Sequence, residues 1–156
     1  MKAALAAAIA MGAASPCFAD PQDTDPEASA LDPDYAAGRK AIEAKNWNAA
    51  VKSLFSAALR SPDNADIQNY LGYAYRKTGK LDLAFKHYKR SLTLNPRHRG
   101  AHEYIGEAYL IKGDVKSAQK HLAALREICL LPCEEFTDLD REIAKYVKKS
   151  PARAAR

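Results

Sequence analysis

Between Asp34 and Lys149 the apolar positions fall into blocks with helical spacing, broken at regular intervals by Gly, Asn, Asp and Pro. Each block is about a dozen residues long, and the blocks come in pairs. The joints within the pairs are Lys45-Asn46-Trp47-Asn48, Thr78-Gly79-Lys80 and Lys112-Gly113-Asp114. They supply what helix ends prefer: Gly accepts a left-handed backbone, and Asn or Asp accepts hydrogen bonds from free N–H groups. Pro62 and Pro96 end the second block of two pairs, because Pro lacks the N–H that would continue a helix. After the last pair, Phe136, Leu139, Ile143, Tyr146 and Val147 recur every three or four residues, with Glu135, Asp138, Asp140, Arg141, Glu142 and Lys145 on the other face. The pattern predicts an all-α fold of seven helices, three hairpins and a capping helix over 134–149.

The pairs are copies of one unit. Gly38, Gly72 and Gly106 are 34 residues apart, as are Ala50, Ala84 and Ala118, then Leu54, Tyr88 and Leu122, then Ala37, Leu71 and Ile105. The best-formed copy, with Leu71, Gly72, Tyr75, Ala84, Tyr88 and Pro96, resembles the tetratricopeptide repeat. The first copy has Ala37-Gly38, Ala41, Trp47, Ala50 and Pro62; the third has Ile105-Gly106, Tyr109, Gly113, Ala118 and Leu122 but Leu130 in place of Pro. The resemblance covers about 31–132 and places repeats at 31–64, 65–98 and 99–132. It implies a right-handed stack of hairpins, capped because terminal repeats would otherwise expose apolar faces. Gly in mid-helix costs about 1 kcal/mol relative to Ala, so a close approach is expected at Gly38, Gly72 and Gly106, with Ala50, Ala84 and Ala118 facing them.

Charge divides the chain. Met1-Lys2, the apolar run Ala3 to Ala14 and Cys17-Phe18-Ala19 have the layout of a secretory signal peptide, with cleavage expected after Ala19. The run is shorter than the roughly 20 residues that span a bilayer. Residues 20–33 form an acidic, Pro-containing linker; Asp20 to Asp34 carries six acids and no base. The remainder holds 23 bases and 13 acids, a body of +10, and ends in a basic tail over 150–156. These features point to a periplasmic or secreted protein. A basic exported body suits anionic surfaces before nucleic acid.

Once Cys17 leaves with the signal, Cys129 and Cys133 remain, an even pair in an oxidising compartment, and a disulfide between them would hold the cap. Two free buried thiols, or an exchanging dithiol, are the other readings. The run Cys129-Leu130-Leu131-Pro132-Cys133-Glu134-Glu135 resembles the C-terminus of small exported tetratricopeptide-repeat proteins of Gram-negative bacteria. His87, His98, His102 and His121 read as solvated surface residues; Gly106 stands where a His-Glu-x-x-His zinc motif needs its second His, so no metal site is expected. Without a phosphate loop, nucleophile elbow or carboxylate pair, no catalytic residue and no cofactor are expected.

Binding is the remaining candidate. In tetratricopeptide-repeat proteins the first helix of each hairpin lines a groove, and that resemblance places Tyr35 and Arg39, then Asn69, Tyr73, Arg76 and Lys77, then Glu103 and Glu107 there, with Ile42 and Leu110 beside them. The expectation is an adaptor in the bacterial envelope holding a protein or peptide partner. An assembly chaperone, or a protein touching anionic membrane surface, is the alternative, and a thiol oxidoreductase on Cys129 and Cys133 the third.

Overall fold

A computed structural model describes residues 32–149, which form seven α-helices and no strand. They are α1 (Pro33–Glu43), α2 (Trp47–Arg60), α3 (Ala65–Lys77), α4 (Leu81–Leu94), α5 (Arg99–Lys112), α6 (Val115–Ile128) and α7 (Glu134–Lys149). The expected signal peptide, the acidic linker up to Leu31 and the basic tail lie outside these residues.

The helix starts repeat as the core does. Asp32, Asn46, Asn64, His98 and Asp114 each accept a backbone N–H from the first turn that follows, and Asn64 and His98 occupy the same register position. Trp47, expected in the first joint, instead opens α2. The hairpin turns need one left-handed residue apiece: Gly79 has φ +77° and Gly113 φ +82°, whereas the matching position of the first repeat is Lys45 at φ +55°.

The mid-helix glycines admit larger neighbours than expected. A Cβ on Gly38 would come within 2.5 Å of Leu54, and one on Gly72 within 2.7 Å of the Tyr88 ring. The facing residue is thus the bulky one four positions after the expected alanine, although the Ala84 carbonyl also lies within 3.2 Å of the Gly72 position. Gly106 departs further: its nearest neighbour is Leu139 of α7, at 2.7 Å. In the last repeat the glycine seats the cap.

Two apolar clusters result. Leu54, Ile67, Leu71, Tyr88 and Ile105 are fully or almost fully buried between the first three hairpin layers. Leu110, Val115, Leu122 and Leu125 close the last hairpin on Leu139 and Ile143, with Phe136 and Tyr146 at the edge. Val147, expected on the same face, stays exposed. Burying a leucine such as Leu139 contributes about 2 kcal/mol, so α7 completes the third repeat as well as covering it.

None of the four histidines is a solvated surface residue. His98 caps α5 with Nδ1 on the Ala101 N–H, at 3.2 Å, and brings Nε2 to 3.0 Å from Asp66. His102 is buried; its Nε2–H donates to the Pro96 carbonyl (3.0 Å), which leaves Nδ1 to accept from His121 Nδ1–H (2.9 Å). One repeat earlier the same work falls to Gln68, whose Nε2 donates to the Pro62 carbonyl (3.0 Å) and whose Oε1 meets His87 Nδ1 (2.8 Å). His87 stacks on Tyr75 and His121 on Tyr109, with ring planes within 19° and 18°. This polar staple ties each interrepeat loop to the second helix of its hairpin. The first repeat has Asp34, Ala41 and Ser53 at these positions and lacks it. Burial holds the His87 and His121 imidazoles down at about 4.

Candidate functional site

The first helices of the hairpins lie side by side and α7 extends the row, so α1, α3, α5 and α7 share one face. Its middle is aromatic. Trp47, at the start of α2, meets Tyr73 edge-on at 6.0 Å, and Tyr73 packs on Tyr104 at 4.7 Å. Cations lie on these rings: Lys77 is 5.2 Å from Tyr73 and 5.8 Å from Trp47, and Arg39 is 5.2 Å from Tyr70.

The expected groove residues meet different fates. Arg39 and Lys77 are exposed, and Tyr73 is half-buried. Tyr35, Asn69 and Glu103 are buried, Tyr35 against Tyr70 with ring centres 6.0 Å apart. Arg76 is fully engaged: its side chain is 7% exposed, pairs with Glu107 at 2.5 Å and donates to the Tyr88 hydroxyl at 3.2 Å. Its guanidinium also covers the Tyr73 and Tyr104 rings, at 5.2 and 5.6 Å. Arg76 and Glu107 therefore hold α3 to α5.

Sequence reasoning missed Tyr70, Tyr104 and the contribution of α7. Tyr70 and Tyr104 are one repeat apart, and each follows an expected groove residue, which is the signal that could have found them. Glu135 and Asp138, read as the polar back of the cap, instead face α5 across a cleft.

Two clefts open on the row. One, of about 500 Å³, lies at the N-terminal ends of α3, α5 and α7, lined by Asp66, Asn69, Tyr70, Glu103, Tyr104 and Asp138 among others. The other, of about 700 Å³, lies at the C-terminal ends, with Lys77, Glu107, Ile111, Lys145 and Tyr146 on its walls. In the first, burial pushes the Glu103 carboxyl up to about 8, helped by the charges of Glu107, Asp138 and Glu135 and opposed by Arg76. The His98 imidazole, 3.0 Å away, holds Asp66 below its usual range. Acids outnumber bases in the first cleft, where Arg97, His98 and Arg99 also stand, while bases outnumber acids in the second, which adds an exposed isoleucine.

Among the described residues no group of three His, Cys, Asp or Glu side chains could hold a metal, and no helix is long and apolar enough to cross a membrane. The sulfurs of Cys129 and Cys133 lie 2.13 Å apart between α6 and α7, with Leu130 and Leu131 exposed on the loop they bracket.

Residues 65–98 match the tetratricopeptide repeat family. No curated protein matches the sequence. Among solved structures, the type III secretion translocator chaperone SycD of Yersinia enterocolitica is similar with a TM-score of 0.68 at 16% identity, over 83% of this chain and 88% of that one. SycD with a peptide of the translocator YopD gives 0.65 at 17%, over 80% and 94%. The Sgt2 TPR domain of Aspergillus fumigatus gives 0.68 at 19%, over 84% and 85%. PcrH with the chaperone binding region of PopD gives 0.63 at 19%, over 83% and 94%. At these identities the likeness is one of fold.

Proposed function

We propose that this chain, whose residues 65–98 match the tetratricopeptide repeat family, is a non-enzymatic interaction module that holds a peptide segment of a partner protein on the face shared by α1, α3, α5 and α7. The observation that carries this is the aromatic strip of Trp47, Tyr73 and Tyr104 crossed by Lys77, with a cleft at each end of the helix row. Flat rings with ordered cations offer large contact area at small entropic cost, which suits an extended segment. SycD and PcrH, which share the fold, are recorded with segments of YopD and PopD. That favours a second reading in which the module is a chaperone for one client.

The proposed setting is the bacterial envelope, after export and removal of residues 1–19. The signal-like N-terminus supports it, and a pair of cysteines placed to form a disulfide, Cys129 and Cys133, suits an oxidising compartment. Such a bond would hold the start of α7 against the end of α6.

Site-specific photocrosslinking tests the face. A crosslinker at Lys77, on the strip, is compared with one at Leu83, exposed on α4. The expected result is a discrete partner captured from position 77 and absent from position 83. Equal capture from both, or none from position 77, overturns the proposal.

A further inference from the structure

The cleft at the N-terminal ends of α3, α5 and α7 contains acceptors that the protein itself leaves unused. Asn69 is 3% exposed, yet its Oδ1 has no hydrogen-bond partner. Its Nδ2 sits beside Gly100, where a Cβ would come within 3.2 Å. Glu103 is 9% exposed and enters no hydrogen bond or ion pair among the described residues. A buried acceptor without a donor costs about 1–3 kcal/mol, so Asn69 Oδ1 calls for a donor that arrives from outside, and the unpaired Glu103 carboxyl lines the same cleft.

The cleft's own cations do not fill this place. Arg97 reaches the Ile128 carbonyl at 3.4 Å, Arg99 lies 3.6 Å from Glu135, and His98 spends Nδ1 on Ala101 while its Nε2, 3.0 Å from Asp66, completes no hydrogen bond and faces that carboxylate rather than Asn69 or Glu103. Arg76 is committed to Glu107 and Tyr88. Around Glu103 stand Glu107 on its own helix, Arg76 on α3, and Glu135 and Asp138 on α7, so carboxylates outnumber bases. A neutral donor would satisfy Asn69 and leave the carboxylates crowded. A cation answers both.

We propose that this cleft receives a basic side chain, lysine or arginine, from the segment bound on the helix row, with Asn69 and Glu103 as its acceptors. The inference rests on the interaction-module reading and adds the chemistry of one partner residue to it. Entry of the cation requires the Glu103 carboxylate, and burial keeps that carboxyl protonated at neutral pH. Binding at pH 7 therefore releases a proton, and affinity rises toward pH 9.

The probes are capped pentapeptides, Ac-Ala-Ala-X-Ala-Ala-NH2 with X lysine, arginine, norleucine or glutamate, titrated into the ¹⁵N-labelled full chain. The lysine and arginine peptides should shift the Asn69 side-chain amide and the Gly100 N–H saturably; norleucine and glutamate should not. Glu103→Gln, which keeps shape and removes charge, should weaken lysine-peptide binding about tenfold and abolish proton release, read by calorimetry in two buffers of different ionisation enthalpy. Thermal unfolding of that variant checks that it is folded. Norleucine binding as well as lysine, or an unchanged affinity in Glu103→Gln, overturns the assignment. Failure here alongside capture from Lys77 removes the basic-residue inference alone; failure of both removes the module reading too.

Discussion

The polar staple of the third repeat makes a quantitative prediction, because the second repeat builds the same staple from a different residue. His102 joins the Pro96 carbonyl to His121, and Gln68 joins the Pro62 carbonyl to His87. In His102→Gln the new amide can donate to Pro96 and accept from His121 Nδ1–H, as Gln68 does one repeat earlier. The cost should be under about 0.5 kcal/mol, since both hydrogen bonds survive. In His102→Leu both are lost at a position only 8% exposed, and the His121 donor is left without its acceptor. Two net hydrogen bonds at roughly 0.5–1.5 kcal/mol each give a loss of about 1–3 kcal/mol.

The pH dependence has a definite sign. His121 titrates near 4 in the folded chain and near 6.5 when unfolded, so the unfolded state binds more protons between those values. Its contribution to stability is fully present above pH 6.5 and is lost as the pH falls toward 4. Between pH 7 and pH 5 that is about 2 kcal/mol. His102 is lowered in the same direction, first by burial, and a protonated His102 would turn an Nδ1–H toward the Nδ1–H of His121. The amide introduced by His102→Gln has no such proton to gain. Guanidinium unfolding followed by circular dichroism at pH 7 and pH 5 measures both effects. His102→Gln should match the natural chain at pH 7 and lose less stability on acidification. Equal destabilisation by Gln and Leu, or an acid loss unchanged in His102→Gln, would refute the staple.

Three further outcomes are expected. Lys45→Gly should stabilise the chain by about 0.5–1 kcal/mol in thermal unfolding, because Lys45 sits at φ +55° where the other two turns have glycine. Gly106→Ala should cost about 1–3 kcal/mol by pushing Leu139 away, and hydrogen exchange should rise first in α7. Reduction of the Cys129 and Cys133 pair should lower stability by about 2 kcal/mol in the loop-entropy account, with the loss again reported by α7; no change on reduction would leave the pair without a structural role.

The architecture was open to reading because it is written in a period. Gly72, Ala84, Tyr88 and Pro96 act through backbone approach and helix ends, which depend on residue type and spacing. The glycine contacts were harder. Gly38, Gly72 and Gly106 look equivalent in sequence, yet Gly106 faces Leu139 because the chain ends its repeats there and α7 takes the place of a fourth hairpin. The histidines misled for a related reason. Taken singly, each is a polar residue on a surface pattern; taken at one repeat's distance, Gln68 with His102 and His87 with His121 form two versions of one hydrogen-bonded unit.

The groove shows where reading by position stops. A register assigns a residue to a face but does not say whether its charge is free. Arg76 and Lys77 are neighbours in sequence on the same helix, and their situations are opposite: Arg76 is 7% exposed and bound to Glu107 and Tyr88, while Lys77 lies over Tyr73 and Trp47 with its ammonium reachable. Replacing Arg76 would therefore break the α3 to α5 contact and report on stability, whereas replacing Lys77 would report on binding. The same reasoning inverts the expectation for acids. Glu107 is spent on Arg76, so on α5 the carboxyl left for a partner is Glu103, which the fold buries without an ion pair of its own. On the proposed reading a partner brings positive charge to the end where Asn69, Glu103 and α7 meet, because Arg97 and Arg99 there are turned to the Ile128 carbonyl and Glu135, while Lys77 and Lys145 stand at the opposite end.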